Sequence, residues 1–533
     1  MIYPALKDHP ILATYWPTFM LAVMVLAAYS NVYHNVFLFD DESLIQRNQY
    51  VLGNLPMSHI FLSSAAGGAG ITNDFYRPLQ ILVYTIINSL FGLSITAYHA
   101  LNVGLHVINT CLVYALGRKL KIRPTAVFFG TLIWALHPLH TEAVTYISST
   151  ADTLSVVFSL ITLLMILPEA TLKRVLLACP VYILAILSKE TAVTVPLLAM
   201  CCLFLLSPER KNWKLYLPLW PLFALAAIYS VLRFTVLDFQ QFDHSFDSLP
   251  ALHYYATHID SRIYTFLATI PAYVSVLFVP VDLHYERMFP VYTSFFTADV
   301  LEGFAILLVG IGVTIWGIRK KHYALSWAFM WFAAAHSLDA GIVVPLIMRF
   351  LEHWMYVPAI GLCLGFSESL AGLLEYKGLK HFEGLAGIVA LGIAVTLGVM
   401  TYDQNTVWKD EFTFYPNILN HGEVSVRAMN NLGRAYAERK EYDKALAIFR
   451  QSEQVNDNLP EIHQNIAQVL SMQPGWQQHP DELIKELKRA IELDEHFLPA
   501  YVGLVYVYQQ LGDAKQEAFY KARVEELKKT LSP

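Results

Sequence analysis

Charge is scarce in this 533-residue chain, where Asp, Glu, Lys and Arg together make up 15%. Acids outnumber bases by 43 to 37, so no strong basic surface is offered to nucleic acid, and that class of partner is set aside. Cysteine is scarcer still. Cys111, Cys179, Cys201, Cys202 and Cys363 all lie inside apolar runs, and no pair has the spacing of a metal knuckle or a disulfide framework. They read as small buried hydrophobes. The start of the chain lacks the short apolar core and small-residue cleavage site of a signal peptide, so the first apolar run is expected to stay as an anchor. What fills the chain is apolar: 55% hydrophobic residues and a mean hydropathy of +0.42, the composition of a multi-span membrane protein.

About a dozen membrane-scale apolar runs follow one another, from Ile11–Ser30 to Leu385–Thr401. Basic clusters separate them at Arg118-Lys119-Leu120-Lys121-Ile122-Arg123, Lys173-Arg174, Arg210-Lys211-Asn212-Trp213-Lys214 and Arg319-Lys320-Lys321, with a weaker one at Lys377 and Lys380. Basic loops stay in the cytoplasm. That rule makes Pro78–Phe91 a helix along the membrane surface and Ile263–Val279, with Pro271 inside it, a broken or re-entrant piece. About eleven crossings then remain, with the N-terminus inside and the C-terminal domain outside. The expected fold is all-α: a polytopic transmembrane bundle over 1–401 with a first outer loop at 31–96, a linker at 402–424, and an extracytoplasmic repeat domain at 425–533.

The repeat domain is expected to be a short tetratricopeptide-repeat solenoid. Met429-Asn430-Asn431-Leu432-Gly433-Arg434-Ala435-Tyr436, followed by Tyr442, Ala445 and Phe449, fits the pattern, because the small Gly433 and Ala445 let two helices touch while Leu432, Tyr436 and Phe449 fill the seam. A second unit runs from about Glu461 to Asp494 and a degenerate third starts near Ala500, with Lys521–Lys529 as a terminal cap. Such a surface usually binds a protein or peptide, although a purely structural role is the bland alternative.

Four stretches face the same outer side under this topology: Phe39-Asp40-Asp41-Glu42, Asn73-Asp74-Phe75-Tyr76-Arg77-Pro78-Leu79, His137-Pro138-Leu139-His140-Thr141-Glu142 and Ser188-Lys189-Glu190. A charge at bilayer depth costs roughly 2.5–3.5 kcal/mol, so acids and bases here mark a site or a solvated loop. Moving a sugar off a lipid phosphate needs a carboxylate base for the acceptor hydroxyl and a cation for the departing phosphate. No second carboxyl acid is required, in contrast to a glycosidase. Asp40 and Asp41 offer the base. Arg77, Lys189, Arg233, Arg262, Arg287 and Arg349 are candidate cations. The bland readings are a loop-helix cap for Asp40 and Asp41, a metal cluster from His137, His140 and Glu142, a mutually neutralised Lys189-Glu190 pair, and an aromatic interface anchor at Glu352-His353-Trp354-Met355-Tyr356. The sequence leaves a divalent cation open.

The strings Phe39-Asp40-Asp41, Tyr76-Arg77-Pro78-Leu79, His137-Pro138-Leu139-His140-Thr141-Glu142-Ala143-Val144, Leu187-Ser188-Lys189-Glu190 and Glu352-His353-Trp354-Met355-Tyr356-Val357-Pro358 resemble the transmembrane-and-tetratricopeptide-repeat O-mannosyltransferases, of the GT-C class of polyprenyl-phosphate-dependent glycosyltransferases. The resemblance covers nearly the whole chain, and the histidine-proline-leucine-histidine-threonine-glutamate string is its most specific part. It implies a GT-C fold, a polyprenyl-phosphate-linked sugar as donor and a protein hydroxyl presented to the repeats. It also implies an acidic pair, Asp40 and Asp41, supplying the base, with Asp40 in the first acid position. Glu42, Tyr76, Arg77, His137, His140, Glu142, Lys189, Glu190, Glu352 and Tyr356 are then expected to line the substrate site. Three departures stand out: a short repeat array, which points to a bacterial relative in an inner membrane with its C-terminal domain in the periplasm; a loose match around Thr150-Ala151-Asp152; and His353 where an Arg is usual. Two other readings compete, a non-catalytic membrane-anchored repeat scaffold and a lipid-linked polysaccharide ligase or polymerase.

Overall fold

The computed structural model describes residues 10–71, 75–237, 250–375, 379–422 and 425–531. Asn73 and Asp74 of the outer loop and Lys377 of the weakest basic cluster lie outside them. The described residues are helical and hold no strand. They form two units, Met1–Lys409 and Asp410–Pro533.

The first unit is built on α1 (Pro10–Ala28), α2 (Pro78–Phe91), α3 (Ile95–Lys119), α4 (Pro124–Ala135), α5 (Thr150–Ile166), α6 (Leu172–Ser188), α7 (Val195–Leu206), α8 (Trp220–Arg233), α9 (Ile259–Phe278), α10 (Ala298–Lys320), α11 (Tyr323–His336), α12 (Pro358–Leu374) and α13 (Glu383–Gln404). Six helical stretches among the described residues are long and apolar enough to cross a membrane: Ile95–Lys119, Ile147–Ile166, Trp213–Thr235, Ile259–Phe278, Ala298–Lys320 and Lys380–Trp408. The chain is a multi-pass membrane protein. Pro78–Phe91 is a helix within the bounds expected, with Gln80, Ile81, Tyr84 and Thr85 buried on one face.

The sequence pointed to a broken or re-entrant piece at Ile263–Val279, but an unbroken 20-residue helix, Ile259–Phe278, runs through Pro271. A helical proline takes the N–H from the carbonyl four residues earlier, here Leu267. That carbonyl faces Gly303 of α10 so closely that a Cβ on the glycine would stand 1.7 Å from the Leu267 oxygen. The freed carbonyl is therefore packed against a neighbouring helix, the way membrane helices tolerate proline. Small residues also set the α11–α12 contact, where a Cβ on Gly365 would fall 2.6 Å from that of Ala328.

The second unit contains α14 (Glu411–Asn420), α15 (Val426–Glu438), α16 (Tyr442–Val455), α17 (Pro460–Met472), α18 (Asp481–Leu493), α19 (Leu498–Leu511) and α20 (Ala514–Leu531). The Asp410 side chain caps α14 by accepting from the Phe412 and Thr413 amides, each at 3.0 Å, and Ser425 caps α15 through the Ala428 amide. Sequential helices pack as pairs, α15 on α16, α17 on α18 and α19 on α20. In the first pair Ala445 and Phe449 are buried, and the Phe449 ring fills the space that a Cβ on Gly433 would need, 2.6 Å away.

Candidate active site

The loop after α1 turns back at Phe39, whose φ of +55° is left-handed and strained for a side chain of that size. The strain separates two adjacent acids. Asp40 is exposed, while Asp41 is only 1% exposed. The Asp41 carboxylate accepts from the Leu38 amide at 2.8 Å and from the Ser148 hydroxyl in a short bond. Burial pushes Asp41 up to about 7 against the pull of those two hydrogen bonds. The Asp40 amide donates to the Tyr146 hydroxyl at 3.0 Å, and the Tyr146 ring stacks on Trp408 with centres 5.2 Å apart. Asp41 thus clamps the loop to the residues just before α5 and leaves Asp40 at its surface. Glu42 turns aside to Arg47, 2.6 Å away.

The start of α2 fastens to the same place. Gln80 donates to the Ser148 carbonyl at 2.7 Å, and Arg77, one residue before the helix, forks onto Glu190 with contacts of 2.7 and 3.2 Å. Tyr76 donates to the Phe61 carbonyl at 3.0 Å and packs the loop. Lys189 and Glu190 each take a different ion-pair partner. Lys189 has extended backbone, φ −155° and ψ 140°, so the two side chains leave on opposite sides. Lys189 instead meets Asp152, in the first turn of α5, at 2.6 Å. The pair is deeply placed, with side chains 3% and 11% exposed.

Beside this pair lies a narrow cleft. Asp152, Lys189, Asp339 and His353 line it, and Val156, Leu160, Leu163, Leu198, Trp331 and Ile360 give it an apolar wall. Burial pushes the Asp339 carboxyl up to about 7, with Lys189 and His353 pulling the other way. An apolar slot with a few polar groups at one end suits a ligand with a lipid tail and a charged head.

The histidine-rich string builds the wall behind the cleft, and its members do not converge on a common point. The His137 ring contacts the Leu277 carbonyl at 2.9 Å through Nε2 and accepts from the Leu139 amide through Nδ1. His140 is enclosed, its ring 4.8 Å from Tyr356 and 5.2 Å from Trp134, and neither ring nitrogen meets a hydrogen-bond partner among the described residues. Glu142 is taken by His353, through Nδ1 at 2.6 Å and the backbone amide at 3.0 Å. Glu142 is thereby engaged by His353, and the metal cluster that the sequence left open is not among the metal-holding groups of the described residues. Glu352 accepts from the His284 amide at 2.9 Å, and Tyr356, which lines the cleft, shares its hydroxyl with His106 at 2.6 Å and Asn109 at 3.3 Å.

Of the candidate cations, Arg77 and Lys189 join the charged cluster. Arg233 contacts the Leu237 carbonyl, Arg262 that of Val343, Arg287 the Asp282 carboxylate and Arg349 the Phe289 carbonyl. Sequence reasoning missed Asp152 and Asp339 as site residues. The signal was present: Asp152 opens an apolar helix and Asp339 follows one, where a charge is costly unless used.

No protein-family model matches the chain. A protein O-mannosyl-transferase of Caenorhabditis elegans is 25% identical over 414 residues, covering 75% of this chain and 57% of the relative. The protein O-mannosyl-transferase TMTC3 of Homo sapiens is 23% identical over 522 residues, covering 90% of this chain and 54% of the relative. The chain is a distant relative of these proteins and spans about half the length of the curated relatives it matches. Among solved structures, ArnT from Cupriavidus metallidurans bound to undecaprenyl phosphate aligns over 97% of this chain and 89% of its own at 13% identity and a TM-score of 0.38. That score is too low to bear on the site.

Proposed function

We propose that this chain is an integral-membrane glycosyltransferase that moves a sugar from a polyprenyl-phosphate donor to a hydroxyl of an extracytoplasmic acceptor, a protein Ser or Thr. The observation that carries the reading is a shared anchorage. Ser148 holds Asp41 of the acidic loop, and four residues further along, Asp152 holds Lys189 at the head of the apolar cleft. The distant kinship with protein O-mannosyl-transferases points to the same chemistry.

Asp40 is the base. Its exposed carboxylate takes the proton from the acceptor hydroxyl as that oxygen attacks the anomeric carbon. The bond from that carbon to the phosphate oxygen breaks on the opposite face, the electron pair leaves with the phosphate, and the sugar inverts. The phosphate gains negative charge as it departs, and Lys189 at the cleft head answers that charge. Arg77 and Glu190 brace the loop against the segment between α6 and α7, while Asp41 holds the loop in place through Leu38 and Ser148. The apolar wall receives the prenyl chain. The helical pairs of the second unit form a tetratricopeptide-type surface that presents the acceptor peptide. In this reading the bundle crosses an inner membrane about eleven times with that unit on the outer side, as the basic loops require.

The test is transfer from a polyprenyl-phosphate sugar to a Ser/Thr peptide by purified protein and by Asp40→Asn. Loss of turnover with an unchanged melting curve is the expected result; full turnover in Asp40→Asn would remove the base and with it this mechanism.

A further inference from the structure

Lys189 is already occupied. Its ammonium lies 2.6 Å from Asp152 at the head of the cleft, with almost no exposure to water. The next cation, Arg77, is likewise held by Glu190. A phosphate entering the cleft therefore finds each cation paired with a carboxylate, and it must displace one of them to be bound by charge. Asp152 and Asp339 both line the cleft with Lys189, but Asp152 is the carboxylate in contact with its ammonium, whereas Arg77 and Glu190 do not line the cleft.

We propose that Asp152 is a place-holding anion, occupying Lys189 while the cleft is empty and yielding it to the phosphate of a lipid phosphate bound along the apolar wall. This deepens the donor reading above and rests on it. The physical case has two parts. First, a lysine buried without a partner would be strongly destabilising, so an empty site needs an internal anion to stay folded. Second, that anion tunes the site toward the departing phosphate. A sugar-linked lipid phosphate is a diester with a single negative charge, no better a partner for Lys189 than the carboxylate. As the bond to the sugar breaks, the phosphate becomes a monoester carrying more charge, and the lysine then favours it over Asp152. An interaction that strengthens as the reaction proceeds lowers the barrier, whereas one equally strong from the start does not. The swap involves a single ammonium already in place, so it requires no large movement of the fold.

The test measures binding of undecaprenyl phosphate, with undecaprenol as the uncharged control, to the full-length protein in lipid nanodiscs. Asp152→Asn removes the competing charge and keeps an oxygen facing Lys189, and it is expected to bind undecaprenyl phosphate about tenfold more tightly than the wild type. Lys189→Gln is expected to bind it about tenfold or more weakly. If the wild type binds the phosphate in preference to undecaprenol and Asp152→Asn binds it equally or less tightly, the place-holder is refuted while the donor reading stands. If neither protein prefers the phosphate over the alcohol, the donor reading falls and takes the place-holder with it. Should Asp152→Asn fail to fold, a structure of the wild type with undecaprenyl phosphate decides. Lys189 Nζ about 2.8 Å from a phosphate oxygen, with the Asp152 carboxylate moved out of contact, supports the swap; an undisturbed Lys189–Asp152 pair overturns it.

Discussion

The two neighbouring acids should respond in opposite ways to the same substitution, and Asp41→Asn is the sharper case. Asp41 is 1% exposed, and its carboxyl titrates at about 7 in the fold against 3.8 in water. The gap is about three pH units at about 1.4 kcal/mol each, so keeping Asp41 ionised costs the fold about 4 kcal/mol once the pH is well above 7. The sign follows from proton counting. Between about pH 4 and 7 the folded protein holds a proton on Asp41 that the unfolded chain has lost, so stability falls as pH rises through that window. Asparagine never ionises. Its oxygen can accept from the Leu38 amide and its amide can donate to the Ser148 hydroxyl, provided that hydroxyl turns to receive it. Asp41→Asn should therefore match the wild type near pH 4 and exceed it by a margin that grows to about pH 7 and then levels off. The assay is thermal unfolding in detergent across that range, followed by intrinsic fluorescence. A constant deficit in Asp41→Asn, or one that grows with pH, would show that a stabilising carboxylate charge had been removed and would refute the reasoning. Asp40→Asn, at an exposed position, should leave every melting curve unchanged while transfer falls by about 10²–10⁴, the usual weight of a general base.

Other outcomes follow from individual contacts. Arg77→Ala strips the forked partner from Glu190 and should destabilise the first unit by roughly 3–5 kcal/mol, read as a lower melting temperature, whereas Arg77→Lys should restore part of the loss. Gly433→Ala puts a methyl group 2.6 Å from the Phe449 ring and should cost about 1–3 kcal/mol, visible as faster hydrogen exchange in 426–455. His463 is buried between Glu486 at 2.7 Å and Asp457 at 3.3 Å. Burial works against its charge, but those acids prevail and its ring is raised above 6.5. Its contribution is present in full at pH below 6.5 and is lost as pH rises through the raised value, so protection against exchange in 460–493, corrected for the intrinsic rise of exchange with pH, should fall above neutral pH in the wild type and not in His463→Gln.

Composition and spacing alone determined a great deal. Scarce charge and long apolar runs give a multi-pass helical protein because only a helix satisfies its own backbone in lipid. The bounds of Pro78–Phe91 were legible from Arg77-Pro78 at one end and Gly92 at the other, as a proline start and a glycine stop. That Gly433, Ala445 and Phe449 share the seam of one hairpin was legible from local spacing, while the seating of the Phe449 ring on Gly433 itself came from the structure. Partnership across the bundle was not. Adjacent Lys189 and Glu190 could be read as site residues or as one neutral pair, and an extended backbone sends them to Asp152 and Arg77, 37 and 113 residues away. Asp40 and Asp41 look equivalent in the chain, and only the left-handed turn at Phe39 and the reach of Ser148 make one a surface carboxylate and the other a buried clamp. A one-dimensional pattern records which residues can bear charge, but which of them lose water and whom they then face depends on packing between distant helices.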